Sequence, residues 1–270
     1  VITRQLGSKI QHSAEKMPVV AVTGPRQSGK STLIQQLFPT HAYLNLEDID
    51  LRKFALEDPK GFLSNAGKKA IIDEVQYAPE LLSYIQVITD REKIAGQFIL
   101  SGSQDLLLMG SIAQSLAGRV AVFNLLRFSL KKIQETEFGM ATYEEYILKG
   151  FYLRIYDLDL NPHNWLQDYL KTYVERDVRQ ILNVGDLGVF RQFLEICAGR
   201  IGQLVNFSEI GNQLGMSHQT VQKWISVLET SLSSINYDHT IKITINASSR
   251  VQNYIFTTRT WLVPCSIFVR

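Results

Sequence analysis

The stretch Gly24-Pro-Arg-Gln-Ser-Gly-Lys-Ser31 constrains this chain more than any other. It fits G-x-x-x-x-G-K-[ST], and it has the flanks that motif needs. Ahead of it, Val19-Val-Ala-Val-Thr23 is a compact apolar run of the kind that forms a strand buried on both faces. Behind it, Thr32-Leu-Ile-Gln-Gln-Leu-Phe38 has helical spacing. Gly24 and Gly29 permit a tight loop whose backbone N–H groups surround phosphate oxygens. The following helix N-terminus adds a partial positive charge. Lys30 supplies a full charge toward β- and γ-phosphates, and Ser31 offers a hydroxyl to Mg²⁺. Pro25, Arg26, Gln27 and Ser28 in the loop and Thr32 behind it complete the candidate ATP-binding set.

A strand of this type needs parallel neighbours. Four more short strand patterns follow, Ala42–Leu46, Ala70–Asp73, Gln97–Ser101 and Val120–Leu125. Helical patterns lie between them at 31–37, 48–57, 79–92 and near 111–117, and an amphipathic helix precedes them at 3–16. This alternation predicts a parallel α/β sheet over roughly residues 18–126. Beyond 127 the strand signals fade, and helices are expected at 129–137, 142–149, 163–182 and 188–199. Asn161-Pro162 is a start signal for the third of these. The expected organisation is a core at 1–127, a helical lid or linker at 128–200, a helical pair at 201–231 and a tail at 232–270.

Lys69-Ala-Ile-Ile-Asp-Glu74 is an apolar strand ending in two carboxylates. A strand beside the loop strand brings Asp73 to the Mg²⁺ shell and lets Glu74 direct or activate a water for attack on the γ-phosphate. Gln97-Phe-Ile-Leu-Ser-Gly-Ser-Gln104 also ends in polar groups, and Ser101, Ser103 and Gln104 are candidates to sense that phosphate. Arg119 opens a later strand. It is a candidate to stabilise phosphoryl-transfer charge from a neighbouring subunit of a homo-oligomer, with a structural ion pair as the plain alternative. Asp48, Asp50 and Arg52 read as a solvated helix start rather than a nucleotide contact.

Charge and cysteine content exclude other classes. With 28 Lys and Arg against 26 Asp and Glu, the net charge of +2 excludes a globally basic nucleic-acid coat. Two cysteines exclude a disulfide framework and fit a reducing compartment. No apolar run reaches the ~18 residues of a membrane span, and Val1–Met17 has no signal-peptide core. A cytoplasmic protein with no membrane partner is expected.

Residues 207–228 have the layout of a helix-turn-helix. Ile210 and Leu214 make one short apolar face, Gly215 gives the turn, Ser217 is an N-cap, and Val221, Trp224, Ile225 and Leu228 recur at helical spacing. In a DNA-binding version His218, Gln219, Thr220, Gln222 and Lys223 face the groove. Between Ile201 and Ser231, Lys223 is the only Lys or Arg, so few phosphate contacts are available within the motif. Arg176, Arg179, Arg191 and Arg200 could supply charge from outside it. A protein-contacting winged helix and a DNA reader both remain open.

Together these stretches resemble bacterial and archaeal AAA+-type P-loop ATPases that carry a C-terminal domain of unknown function. The resemblance rests on Gly24–Ser31, Tyr43-Leu-Asn-Leu-Glu-Asp48, Ile71-Ile-Asp-Glu-Val-Gln76, Ile99-Leu-Ser-Gly-Ser-Gln104, Ser115-Leu-Ala-Gly-Arg-Val120, Tyr173-Val-Glu-Arg-Asp-Val178 and the helical pair. It implies a sheet order of 5-1-4-3-2, with ATP and Mg²⁺ bound through Lys30, Ser31, Asp73 and Glu74 as Walker A and Walker B residues. It implies ATP hydrolysis but identifies no client. An ATP-switched DNA-binding regulator and an inactive remnant are the alternatives. Arg127 and Leu153 stand where the family has proline, which is expected to alter two turns.

The last 39 residues, Leu232–Arg270, contain no Gly and no Glu, although the chain has 17 Gly. The family continues here into a longer domain, through pieces resembling Phe-Ile-Ile and Pro-Tyr-His-Lys-Asn-Tyr-Asn-Lys. Codon degeneracy allows Leu232–Ala247 to be back-translated so that a shifted frame spells both pieces. The expectation is an out-of-frame, weakly ordered tail after about residue 231. Its rival is a divergent β-rich end, since Ile241, Ile243 and Ile245 alternate like a strand.

Overall fold

The computed structural model describes residues 6–103, 110, 112, 114–174, 187–200 and 205–232. The tail and the Tyr173–Val178 stretch from residue 175 onward lie outside them. The chain divides into two compact units between Arg127 and Phe128.

The first unit is built on five parallel strands, β1 (Val19–Gly24), β2 (Ala42–Asn45), β3 (Ala70–Asp73), β4 (Phe98–Ser103) and β5 (Val120–Asn124). Their order is β2-β3-β4-β1-β5, the predicted 5-1-4-3-2 order read from the opposite edge. The apolar run of β1 is buried along its whole length because β4 and β5 flank it and helices cover both faces. Side chains alternate between those faces. Val20, Val22, Ile71 and Ile99 meet α1 (Leu6–Ala14) and α2 (Lys30–Leu37) through Ile10, Ala14, Leu33 and Ile34. Val19, Ala21, Ala70, Ile72, Phe98 and Leu100 pack instead against α3 (Ile49–Glu57), α4 (Pro59–Asn65) and α5 (Leu81–Glu92).

Helix α4 was not expected. Its start is nevertheless written locally, since the Asp58 carboxylate accepts from Gly61 N–H and Pro59 takes the first turn. Its apolar signal, mainly Phe62 and Leu63, is too short to stand out as a period. Asp48 caps α3, its side chain accepting from the N–H groups of Asp50 and Leu51. Arg52 lies over the Tyr77 ring, 5.1 Å from its centre.

The second unit is helical over the described residues, with α6 (Leu130–Gln134), α7 (Tyr143–Lys149), α8 (Leu153–Asp157), α9 (Pro162–Tyr169), α10 (Leu187–Gly199), α11 (Phe207–Leu214) and α12 (His218–Leu232). Asn161 caps α9 with Pro162 behind it, but the helix widens into a π turn at Leu170–Val174 rather than running evenly as expected. Leu153 is the first residue of α8, a position that proline also suits, so its departure from the family pattern leaves a helix start in place. One apolar core joins elements on both sides of residue 200: Trp224 sits edge-on to Phe190 and Phe193, with centroids 5.3 and 5.2 Å away. Packing therefore has no break at the division expected there. No helix among the described residues is long and apolar enough to cross a membrane.

Candidate functional site

Parallel strands bring their C-terminal ends to one rim of the sheet, where ligands of open α/β folds bind. The chain leaves β1 at Gly24, with φ +151°. A Cβ there would lie 2.3 Å from the Leu125 carbonyl oxygen, so the close passage of the backbone excludes any side chain. The loop then turns through Gln27 and Gly29, at φ +60° and +85°, before α2 begins at Lys30. Pro25 and Ser28 are buried in this turn, Arg26 and Gln27 are half-buried, and Thr32 is exposed on the first turn of α2. The first N–H groups of a helix have no partner within it, which suits an anion.

Lys30 is only 5% exposed, and its Nζ donates to the carbonyls of Gly24 and Pro25, both at 3.1 Å. Burial lowers its pKa; Glu74 and Asp73 oppose the shift, Arg26 adds to it and Glu47 opposes it. A desolvated ammonium held by neutral carbonyls gains from an anionic ligand.

Asp73 ends β3, almost fully buried. Its partners follow from the register. β3 pairs Ile72 with Leu100, so one step further sets Asp73 beside Ser101, whose hydroxyl donates to Asp73 Oδ1. The Glu74 N–H donates to the same oxygen at 3.0 Å. From the other side β2 pairs Asn45 with Asp73, and Tyr43, two residues back on the same face, reaches forward. Its phenol donates to Asp73 Oδ2 at 2.6 Å. Burial, then the Asp73 carboxylate, raises the Tyr43 pKa well above its ordinary value.

Glu74 adopts φ +56°, a left-handed conformation uncommon for a residue with a side chain. This turns the chain into a short 3-10 turn, Val75–Tyr77, and brings the Gln76 amide onto the Glu74 carboxylate. Gln76 Oε1 is buried with no hydrogen-bond partner among the described residues.

Lys30, Ser31, Asp73, Glu74 and Ser101 therefore lie together at this rim. Tyr43 and Gln76 join them without having been singled out. Both lie inside stretches that carry the family resemblance, but only strand register shows where Tyr43 reaches. The side chain of Ser103 and all of Gln104 lie outside the described residues, so Ser101 is the sensor candidate that has a geometry.

Arg119 is not brought to this cluster. It precedes β5, and its carbonyl accepts from Val19 N–H at the start of β1, so it lies at the opposite rim. Five strand residues at ~3.3 Å each separate the two rims. There its guanidinium grips Asp90 through Nε at 2.5 Å and a second nitrogen at 2.9 Å. The structural ion pair is the arrangement found.

The donor set fits a hard cation held jointly with phosphates. Among the described residues no group of three or more His, Cys, Asp or Glu could hold a metal. A magnesium ion here would depend on Ser31, Asp73 and ligand oxygens, which is how such sites are commonly built. A carboxylate has about four acceptor positions, and three bonds on Asp73 already take up most of them.

In the second unit, α11 and α12 are joined by a turn at Gly215, φ +66°, and the Ser217 hydroxyl caps α12 through Thr220 N–H. Gly211 faces this turn so closely that a Cβ would lie 2.5 Å from the Met216 carbonyl oxygen. His218, Gln219 and Lys223 are exposed, while Arg200 is engaged by Glu209 at 2.5 Å.

A family model described as AAA domain matches residues 16–134, and one described as Domain of unknown function (DUF8612) matches 140–236. An uncharacterized protein of Mycobacterium tuberculosis is 26% identical over 234 residues, which are 85% of this chain and 52% of that protein. One of Haemophilus influenzae is 23% identical over 246 residues, 79% of this chain and 60% of that protein. The chain thus spans little more than half the length of these curated relatives. A Walker-type ATPase of Pyrococcus abyssi superposes with a TM-score of 0.59 at 15% identity, covering 98% of this chain and 96% of that one. It shares the fold.

Proposed function

From a chain that joins an AAA domain of P-loop ATPase fold to a domain of unknown function, we propose a Mg²⁺-dependent ATPase. The observation that carries this reading is the convergence of a buried Lys30, the Gly24–Ser31 loop and the Asp73-Glu74 pair at one rim. In Walker terms the loop is the A motif and the acidic pair the B motif.

The backbone of residues 24–31 and the N-terminus of α2 bind the phosphates, and Lys30 turns from the Gly24 and Pro25 carbonyls toward their charge. Magnesium, when bound, neutralises charge developing on the phosphate oxygens. Ser31 and Asp73 would hold the ion, and Ser101 orients Asp73. Glu74 takes a proton from the attacking water once Gln76 releases or redirects its carboxylate.

ATP turnover measured with and without Mg²⁺ tests the reading, beside Lys30→Ala and Glu74→Gln. Undiminished turnover in both variants would refute it. For DNA binding through α11 and α12, Arg200 is already paired with Glu209, while Arg191 and Lys223 are exposed and Arg176 and Arg179 lie outside the described residues. Adding duplex DNA to the same assay tests that role, and a protein client is the reading preferred for the second unit.

A further inference from the structure

Tyr43 engages one of the two groups assigned to the metal and stands near the other. Its hydroxyl donates to Asp73 Oδ2 at 2.6 Å, and Ser31 is close enough to act on the same phenol. Asp73 Oδ1 is occupied by Ser101 and by Glu74 N–H, so Oδ2 is the less engaged oxygen, and Tyr43 is what engages it. A hydroxyl held on Asp73 Oδ2 occupies a position that a hard cation or its hydration shell would otherwise take.

The phenol is also placed to leave. β2 is the edge strand of the sheet, and Tyr43 is 38% exposed there. Its ring can swing toward solvent without opening the core, whereas Ser101 is buried on β4. The charged hydrogen bond to Asp73 is of the stronger kind, so displacing it costs more than displacing water.

We propose that Tyr43 is a built-in competitor for the magnesium site: its hydroxyl stays on Asp73 Oδ2 until Mg-nucleotide displaces it. This rests on the nucleotide reading above and adds a regulation to it. The site is closed to a weakly bound cation and opens when nucleotide phosphates supply the remaining oxygens. Tyr43 is a positioning residue and takes no part in proton transfer.

The test uses the full chain and a fluorescent N-methylanthraniloyl-ATP, with binding read by anisotropy as Mg²⁺ is titrated. Tyr43→Phe keeps the ring and removes only the hydroxyl. The expected result is a Mg²⁺ midpoint roughly tenfold lower than wild type, the size of one charged hydrogen bond. Binding of the same probe in EDTA should be equal in the two proteins. A midpoint that is unchanged or higher in Tyr43→Phe, with wild-type probe binding intact, overturns the competitor role and leaves the nucleotide reading standing. Absence of probe binding by folded wild type overturns both. Tyr43→Leu guards against a ring-packing effect: it should share the lower midpoint, and a wild-type midpoint there overturns the proposal.

Discussion

The two rims of the parallel sheet use charge in opposite ways. At the N-terminal rim, Arg119 and Asp90 form a two-pronged, solvent-exposed pair in which each charge has its partner. Their pKa values move apart in the stabilising directions, mainly through the shared hydrogen bond. At the C-terminal rim, Lys30 is buried on neutral carbonyls, Asp73 is buried among donors, and Glu74 sits in a strained left-handed backbone. A sheet tolerates exposed pairs anywhere, but buried charge without a direct counter-ion persists where a ligand completes it.

Substitutions at the two rims should divide along the same line. The largest expected effect is in Glu74→Gln, which should retain ATP binding while turnover falls by about 10²- to 10⁴-fold, measured by phosphate release. Next, Lys30→Ala should weaken nucleotide binding by about 100-fold or more in calorimetry, the order expected for losing charge-assisted hydrogen bonds. Equal affinity would break the contrast between the rims.

Glycines sharpen the contrast without touching charge. Gly24→Ala meets the Leu125 carbonyl at 2.3 Å as well as an unfavourable φ, and should cost about 3 kcal/mol in denaturant unfolding. Gly118→Ala, beside Arg119, meets nothing within 4 Å and has φ +75°, so only the backbone strain of about 1 kcal/mol remains. Comparable losses at both sites would show that the tight passage beside Leu125 is not a constraint.

Arg119→Ala should have the smallest effect. An exposed, solvent-screened ion pair contributes little to stability, so the denaturant midpoint should barely move and ATP affinity should not change. A turnover loss restored by mixing with Lys30→Ala subunits would revive the role in trans that the sequence suggested.

Much of the first unit was legible because its signals are local. A run such as Val19–Thr23 is apolar at every position because a central parallel strand is covered on both faces. Gly24 and Gly29 stand where φ is positive. Asp48 and Asn161 stand where helices begin. Less was legible where periods are short or irregular: α4 offers too few apolar positions, and α9 gives way to a π turn that no spacing rule announces. The second unit's core was harder still, since its aromatic contacts join residues far apart in the chain, such as Phe190 and Trp224.

The amino-acid sequence by itself determined the strands, the loop that turns around phosphate, the carboxylates at the end of β3 and, through resemblance, the strand order. Each is a property of a window of a few residues, where hydrophobic periodicity, glycine freedom and capping chemistry act. Only the tertiary structure decided that Tyr43 and Ser101, 30 and 28 residues from Asp73, share its carboxylate, and that Arg119 lies at the far rim. Those outcomes depend on the hydrogen-bonded register between strands. Register sets both which face a side chain takes and how far along the sheet it sits, and no single strand carries that information alone.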